Sequence, residues 1–194
     1  MKVFSFLCYD TSMEDIFMKV CTIIGNGFEE LEAIGTIALL KRSGIEVDIY
    51  SINEDVVFGK HNVAITNVLP ITQCNEDNYD LLFLPGGPHY AQLQNHVKVI
   101  ELIHLFNKNN KAIAAICAGP TILGKMGLLQ NKKYTCYTSM NENFKGNYLG
   151  TYVVKDGNII TGKSAAASID FGLEIIEHLQ GRDQRKIIEE QIYY

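Results

Sequence analysis

Short apolar runs alternate with stretches of helical spacing along most of the chain. Residues 20–24 and 45–50 are apolar runs of strand length, and the first is continuous, as in a strand buried on both faces. Between them, helical spacing starts at Glu29 and stops at Ser43-Gly44. The positions predicted to form one side of this helix are Leu31, Ile34 and Ala38, filled out by Ile37 and Leu40. Strand, helix and strand in about 30 residues predict a crossover unit whose strands pair in parallel.

The same alternation continues to the end of the chain. Further predicted strands are residues 80–84, 112–116, 134–137 and 158–161, the last two with weaker patterns. Predicted helices cover 97–106, the residues from 120 toward 126, and 169–179. Residues 52–74 contain short β-like runs with Gly59 and Pro70 and predict an inserted hairpin. The pattern indicates one α/β domain with a doubly wound, mostly parallel sheet and helices on both faces.

The first 17 residues do not fit this pattern. Their apolar run, residues 3–8, is too short to span a bilayer, and acidic residues follow it without a small-residue cleavage site. We interpret residues 1–17 as an N-terminal extension or the product of an upstream start codon, and residues 18–194 as the single domain. Without a secretory leader, we expect a cytoplasmic protein that has no membrane segment and keeps its cysteines reduced.

Composition excludes several classes of protein. The 194 residues carry a formal net charge of −5, so no basic surface is available in bulk and nucleic acid is not an expected partner. The five cysteines include no CxxC pair, and the five histidines lack metal-binding spacing. We therefore expect no metal and no cofactor, and we expect the histidines to lie at the surface.

Three glycine-containing turns follow predicted strands, at residues 25–32, 85–88 and 117–120. In an open parallel sheet, ligands bind beyond the carboxyl ends of the strands, where these turns should meet. The first turn, GNGFEE, lacks the third glycine of a dinucleotide fingerprint and has acidic residues where a pyrophosphate would lie. GNIITGKS at 157–164 matches phosphate-loop spacing, but its middle is apolar and strand-like. Neither segment predicts a nucleotide site.

Cys117 is the candidate nucleophile, because it lies among small residues at an abrupt strand-to-helix turn. The positive end of the following helix is expected to lower the pKa of this thiol below its usual value of about 8.5. The N–H groups of Ala118 and of the Gly86-Gly87 turn could stabilise an oxyanion. The alternative interpretation is a buried cysteine that serves as a small core residue.

Three glutamates, at positions 29, 30 and 32, lie in the first turns of the first predicted helix. The helix dipole favours carboxylates there, and for Glu29 and Glu30 this is the preferred explanation. Glu32 differs because it lies on the same helical face as Thr36, at the boundary of the predicted buried stripe. If it points into the crevice, it could hydrogen-bond the Cys117 sulfur and transfer protons.

Four segments together resemble the DJ-one branch of the ThiJ/PfpI superfamily. They are GFEELEA at 27–33, LPGGP at 84–88, AAICAGP at 114–120 and ASIDFGLEIIEHLQGR at 167–182. The resemblance implies a flavodoxin-like fold and a homodimer. It also implies a reactive cysteine at Cys117, a protonated glutamate partner at Glu32, and backbone oxyanion donors at Gly87 and Ala118.

The resemblance implies a cofactor-independent enzyme of deglycase or glyoxalase type, a hydrolase or a lyase. Its expected substrates are small reactive dicarbonyls or early glycation adducts, with Cys117 adding to an aldehyde carbon and Glu32 carrying a proton between two substrate carbons. One alternative is a redox-responsive stress or chaperone-like protein in which Cys117 is oxidised to a sulfinate without substrate turnover. Another is a family member that retains only the fold.

Two positions depart from the family pattern. Tyr137 occupies the place where many relatives have a histidine, and it could supply a hydroxyl near the site but not a base at neutral pH. SAAAS at 164–168 replaces a GPGT-like turn, so the crevice wall is expected to differ. Ala118 stands where a cysteine protease of the superfamily would need a histidine beside the nucleophile, which argues against that activity.

Overall fold

A seven-stranded sheet forms the centre of the computed structural model, which describes residues 18–53 and 55–194. The interpretation of residues 1–17 lies outside the described residues. The strands are β1 (Lys19–Ile24), β2 (Glu46–Ser51), β3 (Val57–Phe58), β4 (Ala64–Ile65), β5 (Leu69–Pro70), β6 (Leu81–Leu84), β7 (Ala112–Ile116), β8 (Lys133–Tyr134), β9 (Asn147–Tyr148), β10 (Val153–Asp156) and β11 (Ile159–Gly162). The sheet order is β10-β11-β7-β6-β1-β2-β5. All neighbours pair in parallel except β10 with β11, so the predicted mostly parallel sheet is confirmed.

Helices cover both faces of this sheet. They are α1 (Thr36–Arg42), α2 (Tyr90–Leu93), α3 (Val97–Lys108), α4 (Gly119–Lys125), α5 (Ser168–Gln180) and α6 (Arg182–Gln191), and a π-helical turn at Leu31–Gly35 leads into α1. Alternate strand residues point to opposite faces: Leu82 and Leu84 pack with α3, whereas Leu81 and Phe83 pack with α1 and α5. Within the described residues, no helix is long and apolar enough to cross a membrane.

The first helix is oriented differently from the prediction. Leu31 is 65% exposed and Ile34 is 38% exposed, and Ala38 is also exposed, whereas Glu32 and Thr36 are fully buried. The predicted buried side was therefore wrong for these three apolar residues, although Ile37 and Leu40 are buried as expected. The reason is that the helix turns the Glu32 carboxyl toward the sheet, where it accepts the Gly86 N–H. The three exposed apolar side chains therefore lie on the outer face of the helix.

The inserted segment forms the predicted hairpin, in which β3 and β4 pair antiparallel. It lies against the loop after β1, because Gly27 N–H donates to the Phe58 carbonyl at 2.7 Å and Lys60 N–H donates to the Phe28 carbonyl at 2.9 Å. The segment then supplies β5 at the sheet edge beside β2. The predicted strand at 134–137 is reduced to the two-residue β8, which pairs with β9 outside the main sheet.

Candidate active site

Cys117 lies between the end of β7 and the start of α4, as the sequence predicts. Its backbone is in the left-handed region, with φ of 62°, a conformation that is uncommon for residues other than glycine. Two backbone hydrogen bonds of 2.9 Å hold it there: Cys117 N–H donates to the Gly162 carbonyl, and Tyr137 N–H donates to the Cys117 carbonyl. A Cβ atom at Gly119 would lie 2.6 Å from the Leu84 carbonyl oxygen, so the tight turn requires a small residue there.

Glu32 lies behind Cys117 and is fully buried. Its Oε2 accepts the Gly86 N–H at 2.9 Å, and its Oε1 has no hydrogen-bond partner among the described residues. Burial raises the pKa of the Glu32 carboxyl to about 7, although the adjacent Cys117 thiol and the Gly86 N–H act in the opposite direction. Glu32 therefore exchanges a proton near neutral pH, as a general acid or base must.

The pKa of Cys117 is raised rather than lowered. Burial and the neighbouring Glu32 carboxylate both raise it, and they outweigh the N–H of Ala118, which favours the thiolate. The predicted lowering was wrong because burial of the thiol, together with the Glu32 carboxylate from another element, outweighs the positive end of α4. The thiol and the carboxyl influence each other's pKa, and the pair holds two protons below about pH 7 and one proton above it.

The Gly86-Gly87 turn fits closely against this pair. A Cβ atom at Gly86 would lie 2.5 Å from Glu32 Oε2 and 2.6 Å from Cys117 Cβ, so any side chain there would displace the two groups. Gly86 donates its N–H to Glu32 and is not available to a substrate. The N–H groups of Gly87 and Ala118 donate to no oxygen among the described residues. The Ala118 N–H faces the Cys117 sulfur, and the role of both N–H groups as oxyanion donors stays a prediction.

A cavity of about 300 Å³ opens above the Cys117 sulfur. Its lining residues are Glu29, Lys60, Gly87, Pro88, Tyr90, Cys117, Ala118, Tyr137 and Met140. Tyr137 therefore lines the same cavity as Cys117, and Lys60, which was not predicted for the site from the sequence, lines it from the inserted hairpin. The structure brings Cys117, Gly87, Ala118 and Tyr137 together around one space, with Glu32 directly beneath the cysteine.

Comparison with known proteins agrees with this geometry. Residues 18–178 match the DJ-1/PfpI family. The chain belongs to that family. It is 33% identical over 167 residues to Protein dj-1beta of Drosophila melanogaster, covering 84% of this chain and 89% of the relative. It is 32% identical over 149 residues to Deglycase PfpI of Pyrococcus furiosus, covering 75% and 90%.

Solved structures of DJ-1 superfamily proteins share the fold. The crystal structure of Drosophila melanogaster DJ-1beta superposes with a TM-score of 0.85 at 30% identity, covering 92% of this chain and 98% of the other. A DJ-1 superfamily protein of Salmonella typhimurium gives a TM-score of 0.86 at 30% identity, covering 92% and 99%. The flavodoxin-like architecture implied by the sequence motifs is thus shared by these relatives.

His89 of this DJ-1/PfpI family member is fully buried, so its predicted surface position was wrong. The Gly25 N–H donates to its Nδ1 at 2.9 Å, and its Nε2 donates to the Pro85 carbonyl at 3.0 Å. Burial lowers the pKa of His89 to about 4, which keeps the ring neutral at pH 7. The imidazole thereby joins the loops after β1 and β6 and fixes the position of the Gly86-Gly87 turn.

Glu29, Glu30 and His61 form a cluster that sequence spacing did not reveal, because its members come from the first helix and the hairpin. Their ligand atoms lie within 4.8 Å of one another, which is close enough to hold a metal ion. Glu30 accepts both the backbone N–H of His61, at 2.6 Å, and its ring nitrogen, at 2.9 Å. Glu29 accepts the Glu32 N–H at 2.9 Å. The Glu30–His61 hydrogen bonds attach the hairpin to the first helix, and the Glu29 bond lies within that helix.

Proposed function

We propose that this protein is a cysteine-dependent, cofactor-independent enzyme of deglycase or glyoxalase type. Its proposed substrates are reactive dicarbonyls or early glycation adducts. The observation that carries the proposal is the placement of the Cys117 thiol on the buried Glu32 carboxyl, beneath a cavity lined by Gly87 and Ala118. Relatives named deglycase, from Pyrococcus furiosus and Pyrococcus horikoshii, support the reaction class. The proposed reaction requires Cys117 to be reduced, and we propose a cytoplasmic location because that compartment keeps thiols reduced.

The first proposed step joins the thiol to an aldehyde carbon. Because Glu32 ionises near neutral pH, its carboxylate can take the Cys117 proton as the carbon–sulfur bond forms. Negative charge then develops on the aldehyde oxygen, which the N–H groups of Gly87 and Ala118 stabilise. Glu32 returns the proton to that oxygen, and the product is a hemithioacetal.

The second proposed step isomerises the hemithioacetal. Glu32 takes the hydrogen from the first substrate carbon as a proton and delivers it to the second carbon, while the hydroxyl proton moves from the first oxygen to the second. Tyr137 lines the same cavity and supplies a hydroxyl that holds the second oxygen. Water then hydrolyses the resulting thioester and frees the thiol. For methylglyoxal the net change is addition of one water to give lactate.

The redox-responsive alternative receives less support from the site. It requires a thiol that ionises readily, since oxidation by peroxide proceeds through the thiolate. Burial and the Glu32 carboxylate raise the pKa of Cys117 instead, so the free protein holds little thiolate at neutral pH. An unmodified Cys117 after mild peroxide treatment, observed by mass spectrometry, would remove this alternative.

Lactate production from methylglyoxal by fresh, reduced protein tests the proposed function. The matched control is Cys136→Ala, because Cys136 is buried and does not line the cavity. We expect the wild-type protein and this variant to produce lactate at similar rates. Absence of lactate from the wild-type protein would overturn the proposed activity.

We also propose that the protein is a homodimer. Leu31, Ile34 and Ala38 form an exposed apolar stripe on the first helix, and contiguous apolar surface of this kind marks protein interfaces. Packing the stripe of one copy against that of a second copy would remove this apolar surface from water. Sedimentation analysis should find a dimer for the wild-type protein and a shift toward monomer for Ile34→Lys. A monomeric wild-type protein at micromolar concentration would contradict the proposal.

A further inference from the structure

Two cysteines far from the cavity lie in direct contact. The sulfur atoms of Cys21 and Cys74 are 3.3 Å apart, although 53 positions separate the residues in sequence. Cys21 lies within β1, and Cys74 directly follows a 3₁₀ turn at Ile71–Gln73. Both thiols are free and buried, at 0% and 3% exposure. The proposed reaction at Cys117 uses neither of them.

Core packing explains the burial of these thiols but not their contact. Both belong to a hydrophobic cluster on the α3 side of the sheet, and free cysteines commonly fill such positions as small apolar residues. If each thiol served only to fill apolar space, any apolar neighbour would suffice. Here each sulfur instead faces the other at hydrogen-bonding distance, which is the arrangement from which a disulfide forms.

The two residues differ in how firmly they are held. β1 pairs with β2 on one side and β6 on the other, so Cys21 is fixed at the centre of the sheet. Cys74 lies in the irregular stretch between the two-residue β5 and β6, and its two sequence neighbours are exposed. A disulfide has a sulfur separation of about 2.05 Å, so the atoms must approach by about 1.2 Å, and the short surface segment can supply this movement.

We propose that Cys21 and Cys74 form a second redox site, at which hydrogen peroxide converts the two thiols into an intramolecular disulfide. In the first step the Cys74 sulfur attacks the peroxide, the oxygen–oxygen bond breaks, and a sulfenic acid and one water form. In the second step the Cys21 sulfur displaces the hydroxyl group, and a second water leaves. The two thiols lose two protons and two electrons, and the hydrogen peroxide is reduced to two waters.

The surroundings favour Cys74 as the attacking residue. The hydrogen bond with Cys21 lowers the pKa of Cys74, and the nearby Lys98 charge acts in the same direction. Burial raises the pKa of Cys21. Asp48 and Glu76 act against ionisation of Cys74 from the other elements packed around it. Cys74 is also the residue closer to the exposed surface segment, where peroxide arrives.

The disulfide would attach the end of the inserted segment to the central strand. That segment contains the β3–β4 hairpin, and Lys60 between these two strands lines the cavity at Cys117. Closing a loop of this length restricts the unfolded chain more than the folded one. The oxidised protein should therefore melt at a higher temperature than the reduced protein, and reduction should reverse the change.

Peptide mapping of the natively folded protein after hydrogen peroxide treatment tests the proposal. After alkylation and digestion without reductant, we expect one linked peptide pair that contains Cys21 and Cys74, lighter by two hydrogens and separated by dithiothreitol. Cys74→Ala and Cys21→Ala should each abolish the link and the rise in melting temperature. Cys117→Ala and Cys136→Ala should each retain both, which separates this site from the proposed enzyme activity.

The opposite pattern would overturn the proposal. In that case Cys21 and Cys74 both remain alkylatable thiols in the folded protein after hydrogen peroxide treatment. A link that appears only in urea would also overturn it, because the contact would then play no part in the folded protein. Circular dichroism of each variant before oxidation establishes that a missing link does not arise from misfolding.

Discussion

Replacing Cys117 with serine should lower kcat/KM for lactate formation from methylglyoxal by at least about 1,000-fold. The hydroxyl group occupies nearly the same space as the thiol, so the elbow and the cavity remain. A hydroxyl is far less acidic than a thiol, and the Glu32 carboxylate, with a pKa of about 7, is too weak a base to activate it. The measurement is the initial rate of lactate formation at several substrate concentrations.

The fold of the Cys117→Ser protein supplies the control. Its free energy of unfolding in urea should lie within about 1 kcal/mol of the wild-type value, because the substitution changes one half-buried atom. Cys136→Ala should keep wild-type activity in the same assay. If Cys117→Ser retained more than about a tenth of the wild-type rate, another group would have to be the nucleophile.

Replacing Glu32 with glutamine should lower kcat/KM by about 100-fold or more, because the amide cannot accept the thiol proton or carry a proton between substrate carbons. The amide oxygen can still accept the Gly86 N–H that Glu32 binds at 2.9 Å. The turn that carries Gly87 should therefore stay in place. A rate equal to that of the wild-type protein would remove Glu32 from the mechanism.

The same variant should be more stable than the wild-type protein above pH 7. Burial raises the pKa of Glu32 from 4.5 to about 7, so between these values the folded protein holds a proton that the unfolded chain has released. Wild-type stability therefore falls as pH rises through this window. Glutamine has no such proton, and the variant should gain about 1–3 kcal/mol at pH 8 and nothing at pH 4. Urea unfolding at both pH values measures the difference, and a pH-independent difference would contradict the assigned pKa.

Much of the fold could be predicted because its central strands are continuous apolar runs. β1, β6 and β7 are buried on both faces, and the glycine-containing turns after them are visible in the sequence. The two-residue strands β8 and β9 are too short to show a period. The orientation of the first helix was predicted wrongly, because hydrophobic spacing alone places Leu31 inside and Glu32 at the edge.

In the candidate site, too, residues in local motifs were predictable and residues placed by long-range contacts were not. Cys117, Gly87 and Ala118 were predicted from local motifs at strand ends, whereas Glu32 was proposed from its helical face and strengthened by the family resemblance. His89 binds the Gly25 N–H across 64 sequence positions, and Cys21 meets Cys74 across 53. Local sequence patterns do not predict contacts between residues so far apart in the chain. The direction of the Cys117 pKa shift was predicted wrongly for the same reason, since both the burial of the thiol and the nearby Glu32 carboxylate arise from residues distant in sequence.

The pH dependence of kcat/KM for methylglyoxal tests the central claim most directly, because this substrate does not ionise and the profile reports groups of the free enzyme. If ionised Glu32 takes the proton of Cys117, the rate should rise about tenfold per pH unit below pH 6 and level off above pH 8, with a midpoint at the Glu32 pKa of about 7. The residual rate of Glu32→Gln should lack this midpoint. A wild-type rate that stayed constant or fell between pH 6 and pH 8 would contradict the account.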